Sequence, residues 1–373
     1  MNMIKTIMLV SVPLMLMTAC GCYFYSFYRR MLVHRISDNK KLVLASSALT
    51  LVSILPAFRI MSAGIFVTLF LLMACIASDI LNLLFTAVLK NRTSLDIWKR
   101  IYMGGALAFF LFAAVFLYGT YNARNVVLTR YEIESEKSVG QEELAVALIS
   151  DLHLGSGQSL DKLERTCAQI DEQSPDVVVL AGDIFDENTK NAEISKAAKL
   201  LGSLRSRYGV YYVFGNHEMN MKSADGKNRM YELRALLEQN NITVLDNERI
   251  LVADAFYIAG RSPALLSTDI ERESWDKLLC GADRGKLIIG VDHRPRSLES
   301  AAQNGVDLQL SGHTHAGQIW PVGQIAELCG VNEMNYGIEK IGNYQIIVSS
   351  GAGGWGFPMR IGSHAEIVIA TLK

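Results

Sequence analysis

Five short clusters of aspartate, asparagine and histidine, spread between residues 151 and 315, have the residue types of a hydrolytic metal centre. In chain order they are Asp151-Leu152-His153, Gly182-Asp183, Gly215-Asn216-His217-Glu218, His293 and Gly312-His313-Thr314-His315. They contain five of the seven histidines of the chain. Oxygen and imidazole ligands without any cysteine suit a centre in which two divalent metal ions activate water for hydrolysis.

Two of these clusters repeat one spacing, in which a single residue separates two candidate metal ligands. Asp151 and His153 would project to the same side of an extended segment, so they could hold one ion between them. His313 and His315 repeat this arrangement, and His293 adds one more imidazole. The spacing therefore predicts that both pairs are metal ligands.

The other candidate residues differ in what they could contribute. Asp183 has two carboxylate oxygens and could bridge two cations, while Asn216 offers a neutral amide oxygen that suits a crowded dicationic site. His217 is not needed in either coordination shell, and an imidazole can donate a proton to a leaving alkoxide near neutral pH. Asp186 and Glu218 are expected to support these ligands or to start a helix.

Short apolar runs precede the clusters and predict the strands that position them. These runs are 145–150, 177–181, 210–214, 287–291 and 306–310. The stretches between them predict helices, at 158–173, 190–207, 226–240 and 297–304. Continuous apolar strands predict a sheet covered on both faces, with the clusters at its carboxyl edge. The closely spaced runs 242–245, 250–252 and 255–259 predict an antiparallel portion.

The chain before residue 122 is far more apolar than the rest and predicts a membrane region. Its stretches 6–28, 42–58, 60–89 and 101–121 are each close to the roughly 20 residues that cross a bilayer. We therefore expect about four transmembrane helices over 1–121, a linker over 122–143 and a globular domain over 144–373. Asp79 is expected to lie near a helix end or to face neighbouring helices.

The distribution of basic residues predicts an orientation for this region. Within the first 121 residues, the loops 29–41 and 90–100 carry most of the lysines and arginines, and basic loops stay in the cytoplasm. We thus expect a multi-pass protein of the cell membrane whose catalytic domain is extracytoplasmic. An alternative takes Met17-Thr18-Ala19-Cys20 as a cleaved lipoprotein signal, but the apolar run continues to Tyr28, which favours a retained helix.

The series D-x-H, G-D-x-x-D, G-N-H-E, a lone histidine and G-H-T-H resembles the calcineurin-like metallophosphoesterase superfamily over residues 144–373. The resemblance implies an α/β fold, a four-layer α/β/β/α sandwich with a dimetal site at the strand ends. It implies that one metal ion is held by Asp151, His153, Asp183 and His315, and the other by Asp183, Asn216, His293 and His313. It also implies that His217 is the catalytic histidine.

Finer features resemble the branch with membrane-anchored bacterial members and transmembrane proteins that carry a metallophosphoesterase domain. These features are GHTHAGQ, which ends at Gln318, the glycine loop 351–356 and Glu366. The sequence departs from the pattern of this branch at two places. Ala316 stands where the branch usually has glycine, and residues 260–263 lack the acidic pair often found there. Neither touches a predicted ligand, so they affect substrate contacts rather than metal binding.

The glycine loop 351–356 also matches the dinucleotide pattern G-x-G-x-x-G. Pro358 stands where a helix should start, and only 17 residues follow Gly356, so a βαβ unit has no room. The loop is therefore interpreted as a tight turn beside the metal site. Near it, Trp320, Trp355, Phe357 and Met359 are either plain packing residues or a hypothetical apolar wall for an acyl or prenyl chain.

The resemblance implies a metal-dependent phosphoesterase with two divalent metal ions, which could be Mn²⁺, Fe²⁺ or Zn²⁺. The expected reaction is attack of a metal-bridging hydroxide on a phosphate ester, with phosphodiester or pyrophosphate bonds favoured. Expected partners are the lipid bilayer and a lipid or envelope phosphate-ester substrate. A net charge of −1 argues against nucleic acid as a specific partner.

Three other functions have less support in the sequence. A UDP-2,3-diacylglucosamine-type pyrophosphatase of lipid A synthesis would need a cytoplasmic active site, against the expected orientation. A non-catalytic metal-binding sensor or scaffold would be expected to lack a ligand or the catalytic histidine, and none is missing. A transporter gated by the globular domain has only Asp79 in its favour.

Overall fold

The computed structural model describes residues 3–58, 63–88, 92–137, 142–155, 158–222, 228–263 and 272–373. Contacts divide the chain into two compact units, Met1–Tyr118 and Gly119–Lys373. The first unit is helical and the second contains all the strands of the described residues. The division falls a few residues before the boundary expected at 121.

The helical unit consists of α1 to α4 and most of α5. Their bounds are α1 (Met3–Leu32), α2 (Asn39–Ile54), α3 (Ala63–Val88), α4 (Arg92–Met103) and α5 (Ala106–Arg124), with a short 3₁₀ turn at Leu55–Phe58. A break at Gly104 and Gly105 separates α4 from α5, and Gly105 has φ +73°, which a residue with a side chain rarely adopts. The fourth predicted crossing therefore starts at Ala106 rather than at residue 101.

Three helical segments of the described residues are long and apolar enough to cross a membrane: Asn39–Phe58, Gly64–Val88 and Ala106–Arg124. They match the second, third and fourth predicted crossings. The first prediction, 6–28, falls on α1, which continues through Cys20 without a break. The side chains of residues 3–13 lie outside the described residues, so the first crossing, and with it the number of four, remains a prediction.

Asp79 of α3 faces the neighbouring helices, as expected. Its carboxylate accepts hydrogen bonds from Tyr23 Oη at 2.6 Å and Tyr102 Oη at 2.9 Å. Arg30 Nη2 lies 2.7 Å from the same carboxylate. Two hydrogen bonds and one ion pair stabilise the carboxylate, which explains how it is tolerated in an apolar helix.

Twelve strands form two six-stranded sheets in the second unit. The strands are β1 (Val126–Ile133), β2 (Leu144–Ile149), β3 (Val177–Ala181), β4 (Val210–Val213), β5 (Ile242–Val244), β6 (Glu248–Val252), β7 (Phe256–Arg261), β8 (Leu287–Asp292), β9 (Leu308–Ser311), β10 (Gly337–Ile341), β11 (Tyr344–Val348) and β12 (Ala365–Leu372). The first sheet has the order β1-β12-β2-β3-β4-β5, and the second has β10-β11-β9-β8-β7-β6.

Helices cover the outer faces of both sheets. The described helices of the second unit are α6 (Leu160–Glu172), α7 (Asn191–Gly202), α8 (Asn216–Asn220), α9 (Met230–Glu238), α10 (Trp275–Leu278), α11 (Leu298–Gln303) and α12 (Val322–Leu328). The apolar faces of α6, α7 and α9 pack with the first sheet in one core. Those of α10 and α11 pack with the second sheet in another.

A third apolar core lies between the sheets and completes the four layers. Its buried side chains come from both sheets, for example Val146 and Val179 of the first and Ile258, Ile289 and Leu310 of the second. Burial of each such side chain contributes about 1.5–3 kcal/mol. The expected α/β/β/α sandwich is confirmed.

The structure corrects the predicted linker at 122–143. Residues 126–133 form β1, an edge strand of the first sheet that pairs in parallel with β12 from Val126↔Ala365 to Ile133↔Leu372. The segment carries only one side chain, Ile133, that is fully buried, so its sequence lacks the continuous apolar run of the central strands. Its pairing partner lies more than 230 residues away, beyond the reach of a local pattern.

The expected antiparallel portion is correct only in part. β6 and β7 pair antiparallel at the edge of the second sheet. β5 instead joins the first sheet, parallel to β4, with Ile242 opposite Val210. The chain therefore changes sheet between β5 and β6, and Asn247 in this connection has φ +57°.

Candidate metal centre

The five clusters meet at the carboxyl edge of the two sheets. Residues 151–153 follow β2, residues 182–183 follow β3, and residues 215–218 follow β4 in the first sheet. His293 follows β8, and residues 312–315 follow β9, in the second sheet. The parallel strands β2, β3 and β4, and likewise β8 and β9, place their ends side by side. The structure thus brings all the predicted site segments together.

Five candidate ligands have a left-handed backbone, which corrects the expected extended geometry of the D-x-H and H-x-H pairs. The φ angles are 51° at Asp151, 49° at His153, 51° at Asp183, 71° at His313 and 52° at His315. Such a conformation in a residue with a side chain costs on the order of 1–3 kcal/mol and is concentrated at functional sites. The side chains converge because the chain turns sharply, not because it continues a strand.

Backbone hydrogen bonds hold these turns against each other. Asp151 N donates to Gly182 O at 3.0 Å, and His153 N donates to Asp183 O at 3.0 Å. The amide of His313 donates to the Asp151 carboxylate at 2.9 Å. The turns after β2, β3 and β9 therefore lock one another, which offsets the strain of each.

Two glycines leave room for the buried carboxylates. A Cβ at Gly215 would lie 2.1 Å from Asp183 Oδ1, and a Cβ at Gly312 would lie 2.2 Å from Asp151 Oδ2. Real Cβ atoms do not approach an oxygen so closely, so any side chain at either position would displace a candidate ligand. This close approach explains the glycine at the start of G-N-H-E and G-H-T-H.

The first group of ligand atoms belongs to Asp151, His153 and His315. His153 Nε2 lies 3.2 Å from His315 Nε2, and His315 Nε2 lies 3.5 Å from Asp151 Oδ1. Burial lowers the pKa of His153 to about 3 and lowers that of His315 well below its usual range, so both imidazoles are neutral. Two neutral nitrogens aimed at one point beside a buried carboxylate fit a divalent cation.

The second group belongs to Asp183, His293 and His313. His293 Nδ1 donates to Ala181 O at 2.8 Å, which turns Nε2 towards Asp183 Oδ2 at 3.0 Å. Burial alone would lower the pKa of His293, but the Asp183 carboxylate raises it to about 10. The Asp183 carboxylate therefore stabilises a positive charge at this point, which a bound metal ion would provide.

Asp183 is shared between the ligand groups. Its carboxylate is close to His293 and His313 on one side and to His153 and His217 on the other, all within 4.8 Å. Its pKa is lowered because the histidine charges outweigh the effect of burial. An ionised carboxylate between two sets of imidazoles is the geometry of a bridging ligand.

Glu218 supports this arrangement from behind, as its sequence position suggested. Its carboxylate accepts hydrogen bonds from the amides of Asp183, Phe185 and Gly215 at 2.8–3.0 Å, and from Tyr212 Oη at 2.7 Å. The side chain is fully buried. It ties the turn after β3 to the start of α8. Asp186 has a smaller role, capping the turn to Asn188 with its Oδ1.

His217 lies at the open side of the site. Its amide donates to Asp183 Oδ1 at 2.8 Å, and its ring centre lies 4.8 Å from that of His153. Nδ1 lies 2.9 Å from Glu187 Oε2. Burial opposes the charge, but Asp183 and Glu187 raise the pKa of His217, which favours the protonated form that a proton donor needs. Nothing in the local sequence distinguishes Glu187 beyond its place after D-I-F-D.

Two buried arginines border the ligands and were not found from the sequence. Arg294 donates to Asn216 Oδ1 from Nε at 3.4 Å and from Nη2 at 3.3 Å, so its guanidinium lies against a predicted ligand. Arg360 is fully buried and donates to the carbonyls of Gly353 and His315. It ties the glycine loop to the G-H-T-H segment. Both side chains are recognisable only once tertiary contacts are known.

The glycine loop 351–356 lies beside the metal site, as interpreted. Gly353 N donates to Asp151 O at 3.0 Å. Gln318 fixes the far side of the loop, with Nε2 donating to Trp355 O at 3.0 Å and Phe357 O at 2.7 Å. The loop is therefore held between a candidate metal ligand on one side and Gln318 on the other.

The four residues of the hypothetical apolar wall divide into two pairs. Trp320 and Trp355 are 56 % and 47 % exposed, and the Trp355 ring centre lies 6.0 Å from that of His217. Phe357 and Met359 are buried, at 7 % and 1 %. A substrate chain could reach the tryptophans, whereas Phe357 and Met359 support the loop from within.

Comparison with known proteins agrees with this geometry. The calcineurin-like phosphoesterase family model matches residues 144–317. An uncharacterized metallophosphoesterase of Aquifex aeolicus is 34 % identical over 270 residues, which cover 70 % of this chain and 98 % of that protein. The chain belongs to the calcineurin-like metallophosphoesterase family, and the predicted resemblance is confirmed.

Two further relatives are only partly covered. A transmembrane protein with metallophosphoesterase domain from Danio rerio is 32 % identical over 281 residues, 72 % of this chain and 62 % of that protein. The uncharacterized metallophosphoesterase Cj0846 of Campylobacter jejuni is 32 % identical over 241 residues, 62 % of this chain and 60 % of that protein. The chain thus spans about three fifths of the length of these two relatives.

Proposed function

We propose that the chain is a membrane-anchored dimetal phosphoesterase that hydrolyses phosphate ester bonds of a lipid or envelope substrate, with phosphodiester or pyrophosphate bonds favoured. The observation that carries this proposal is the position of Asp183. It belongs to two groups of metal-ligand side chains at once. A single metal ion would not require a carboxylate in that position.

The residues divide into metal ligands and a proton donor. Asp151, His153, Asp183 and His315 would hold one divalent ion, and Asp183, Asn216, His293 and His313 the other. When bound, two such ions supply an activated hydroxide and a clamp for phosphoryl oxygens. Mn²⁺, Fe²⁺ and Zn²⁺ all accept these ligands.

His217 is the proposed proton donor to the leaving oxygen. Its charge is favoured by Glu187, 2.9 Å away, and its backbone is fixed by Asp183. Arg294 lies against Asn216 and adds a positive charge for the oxygens of the phosphoryl group. These groups bind and orient the ester without moving themselves, because their turns are locked by hydrogen bonds.

The membrane part of the proposal rests on three apolar helices and on the way α5 ends. Gly119 O accepts a hydrogen bond from Arg360 N at 3.0 Å. Asn122 Nδ2 donates to Arg360 O at 3.1 Å and to Ser363 O at 2.6 Å. The last turns of a membrane-crossing α5 would therefore hold the site near the bilayer surface, which favours a lipid or envelope ester. The charge of the loops supports an extracytoplasmic domain.

The test uses the full chain, purified in detergent and loaded with Mn²⁺. We expect hydrolysis of bis(p-nitrophenyl) phosphate that requires the metal, and a loss of about 10²- to 10⁴-fold in His217→Asn. Lys196→Gln, on the exposed face of α7, is the matched control. Two bound metal ions without turnover on any phosphate ester would overturn the catalytic proposal.

A second measurement addresses the substrate. The same protein is given phosphatidylglycerol in mixed micelles and a water-soluble diester, before and after Trp355→Ala. We expect the variant to lose activity on the lipid and to keep it on the soluble diester, because Trp355 is exposed beside His217. An equal loss on both would exclude the lipid wall.

A further inference from the structure

A cavity of about 140 Å³ lies where the end of α5, the start of α6 and the chain after the glycine loop meet. Its polar side is lined by Arg124, Gln158 and Lys162, and its apolar side by Phe357, Pro358 and Met359. None of these residues is a candidate metal ligand. The cavity is therefore separate from the metal centre.

Lys162 gives the cavity an uncompensated positive charge. Its amine donates to Ala123 O at 3.0 Å, at the end of α5. Burial and the charges of Arg360, Arg165 and Arg124 lower its pKa to about 8. Among the described residues no carboxylate forms an ion pair with Lys162 or Arg124. An anion in the cavity would relieve this repulsion and replace the water lost by the amine.

The position of the cavity favours a particular anion. Ala123 and Arg124 are the last two residues of α5, one of the three helices that could cross a membrane. A lipid phosphate at the surface of the same bilayer would lie at this height. Beside it, Phe357, Pro358 and Met359 offer apolar contact to the glycerol and the first methylene groups.

We propose that this cavity binds the phosphate group of an anionic phospholipid of the bilayer that α5 crosses. The proposal rests on the membrane part of the proposed function and is independent of catalysis. Lys162 and Arg124 donate charge-assisted hydrogen bonds to the phosphate oxygens. The lipid is a ligand beside the site, not the ester that is hydrolysed.

Binding there would act on the metal centre through one short segment. Gly354 borders the cavity, and the preceding residue, Gly353, donates to Asp151 O at 3.0 Å. Phe357 O and Trp355 O accept from the same Gln318 amide. A bound headgroup would thus fix one side of the loop whose other side lies against a candidate metal ligand.

The test measures the reactivity of the Lys162 amine in the full chain, by acetylation and peptide mass spectrometry. The protein is placed in nanodiscs of phosphatidylcholine, with or without an equal part of phosphatidylglycerol. We expect Lys162 to react roughly tenfold more slowly with phosphatidylglycerol, the effect of a charge-assisted hydrogen bond. Lys196 on α7 should react equally in both. Equal reactivity of Lys162 in both would overturn the proposal.

Two further arms identify the source of the phosphate and the residues involved. Inorganic phosphate added to phosphatidylcholine nanodiscs should leave Lys162 reactive; protection by it would overturn the lipid assignment. Arg124→Gln removes an exposed side chain and should abolish most of the protection, whereas Lys196→Gln should not. Full protection in Arg124→Gln would contradict the proposed contacts.

The same footprint in His217→Asn separates this inference from the proposed function. This variant should have no turnover and yet show full protection of Lys162, because the cavity does not use the metal centre. Absence of activity in the wild-type protein would therefore leave the lipid measurement valid. Loss of protection with intact activity would overturn only the lipid site.

Discussion

His217 Nδ1 and Glu187 Oε2 lie 2.9 Å apart at the mouth of the metal centre. The contact fixes which ring nitrogen remains for the leaving group, and the carboxylate favours the imidazolium. Glu187 is half-exposed and holds no position in the predicted metal shells. It acts through His217 alone, so its role can be separated from metal binding.

Glu187→Gln should lower kcat about tenfold to a hundredfold, the usual cost of losing a group that orients a catalytic residue. The carboxylate raises the pKa of His217, so its removal lowers that pKa. A proton donor is active below its pKa, and the alkaline limb of the activity profile should therefore move to lower pH. The measurement is kcat against pH with the metal content checked. An unmoved limb would contradict the role given to Glu187.

Glu218→Gln should destabilise the second unit by about 2–3 kcal/mol. The amide NH₂ of glutamine cannot accept from backbone amides, so either the Asp183 and Gly215 amides or the Phe185 amide would lose their acceptor. Chemical denaturation would measure the free energy of unfolding. The control is Glu164→Gln, an exposed carboxylate on α6, which should change little. Equal stability of both variants would show that the lost hydrogen bonds contribute nothing.

Gly312→Ala should reduce the bound metal from two ions to one or none. Its Cβ would lie 2.2 Å from Asp151 Oδ2, so the Asp151 carboxylate must move away from His153 and His315. The metal content is measured by mass spectrometry after dialysis. Gly330→Ala is the control, because its positive φ strains an alanine there but no atom lies within 4 Å of the added Cβ. Full metal content in Gly312→Ala would contradict the steric argument.

Ala316→Gly should stabilise the folded protein by about 0.5–1 kcal/mol. Ala316 has φ +50° and ψ +32°, a left-handed conformation that glycine adopts without strain. The greater freedom of glycine in the unfolded chain offsets part of this gain. The expected readout is a rise in Tm without loss of metal. A fall in Tm would show that the alanine methyl group makes a contact worth more than the strain.

The protection of Lys162 by phosphatidylglycerol should weaken as pH rises above about 8. Burial and the neighbouring Arg360, Arg165 and Arg124 hold the pKa of this amine at about 8, so it is charged below that value and neutral above it. A neutral amine attracts an anion far less. The protection factor, measured against Lys196 at each pH, should fall through this range. Constant protection up to pH 10 would contradict a charged contact.

The sequence predicted the site better than the backbone that builds it. The ligands of D-x-H, G-D, G-N-H-E and G-H-T-H could be found because each follows a strand with a continuous apolar run. The left-handed φ angles of these ligands could not be predicted. They depend on hydrogen bonds, such as the one from His313 N to the Asp151 carboxylate, that join segments 162 residues apart.

The same physical reason explains the other omissions. Glu187, Arg294 and Arg360 act through partners on other strands or loops, so nothing in their local sequence distinguishes them from surface charges. β1 was predicted as part of a linker, because the sequence of an edge strand with polar residues resembles a linker until its pairing partner is known. β5 was expected in an antiparallel portion with β6 and β7 but pairs in parallel with β4, because proximity along the chain does not determine which edge a short strand joins.

The order β1-β12-β2 in the first sheet has a consequence for the biosynthesis of the protein. β12 lies between the strand that directly follows α5 and the strand that opens the catalytic domain. While the chain is still emerging, the edge of β2 that β12 will cover has no strand beside it, and β1 has no sheet to join. Insertion of α5 into a membrane would therefore come well before the catalytic domain can close. Every molecule would pass through a stage in which α5 is in the membrane and the candidate metal ligands have been translated, but the first sheet still lacks β12.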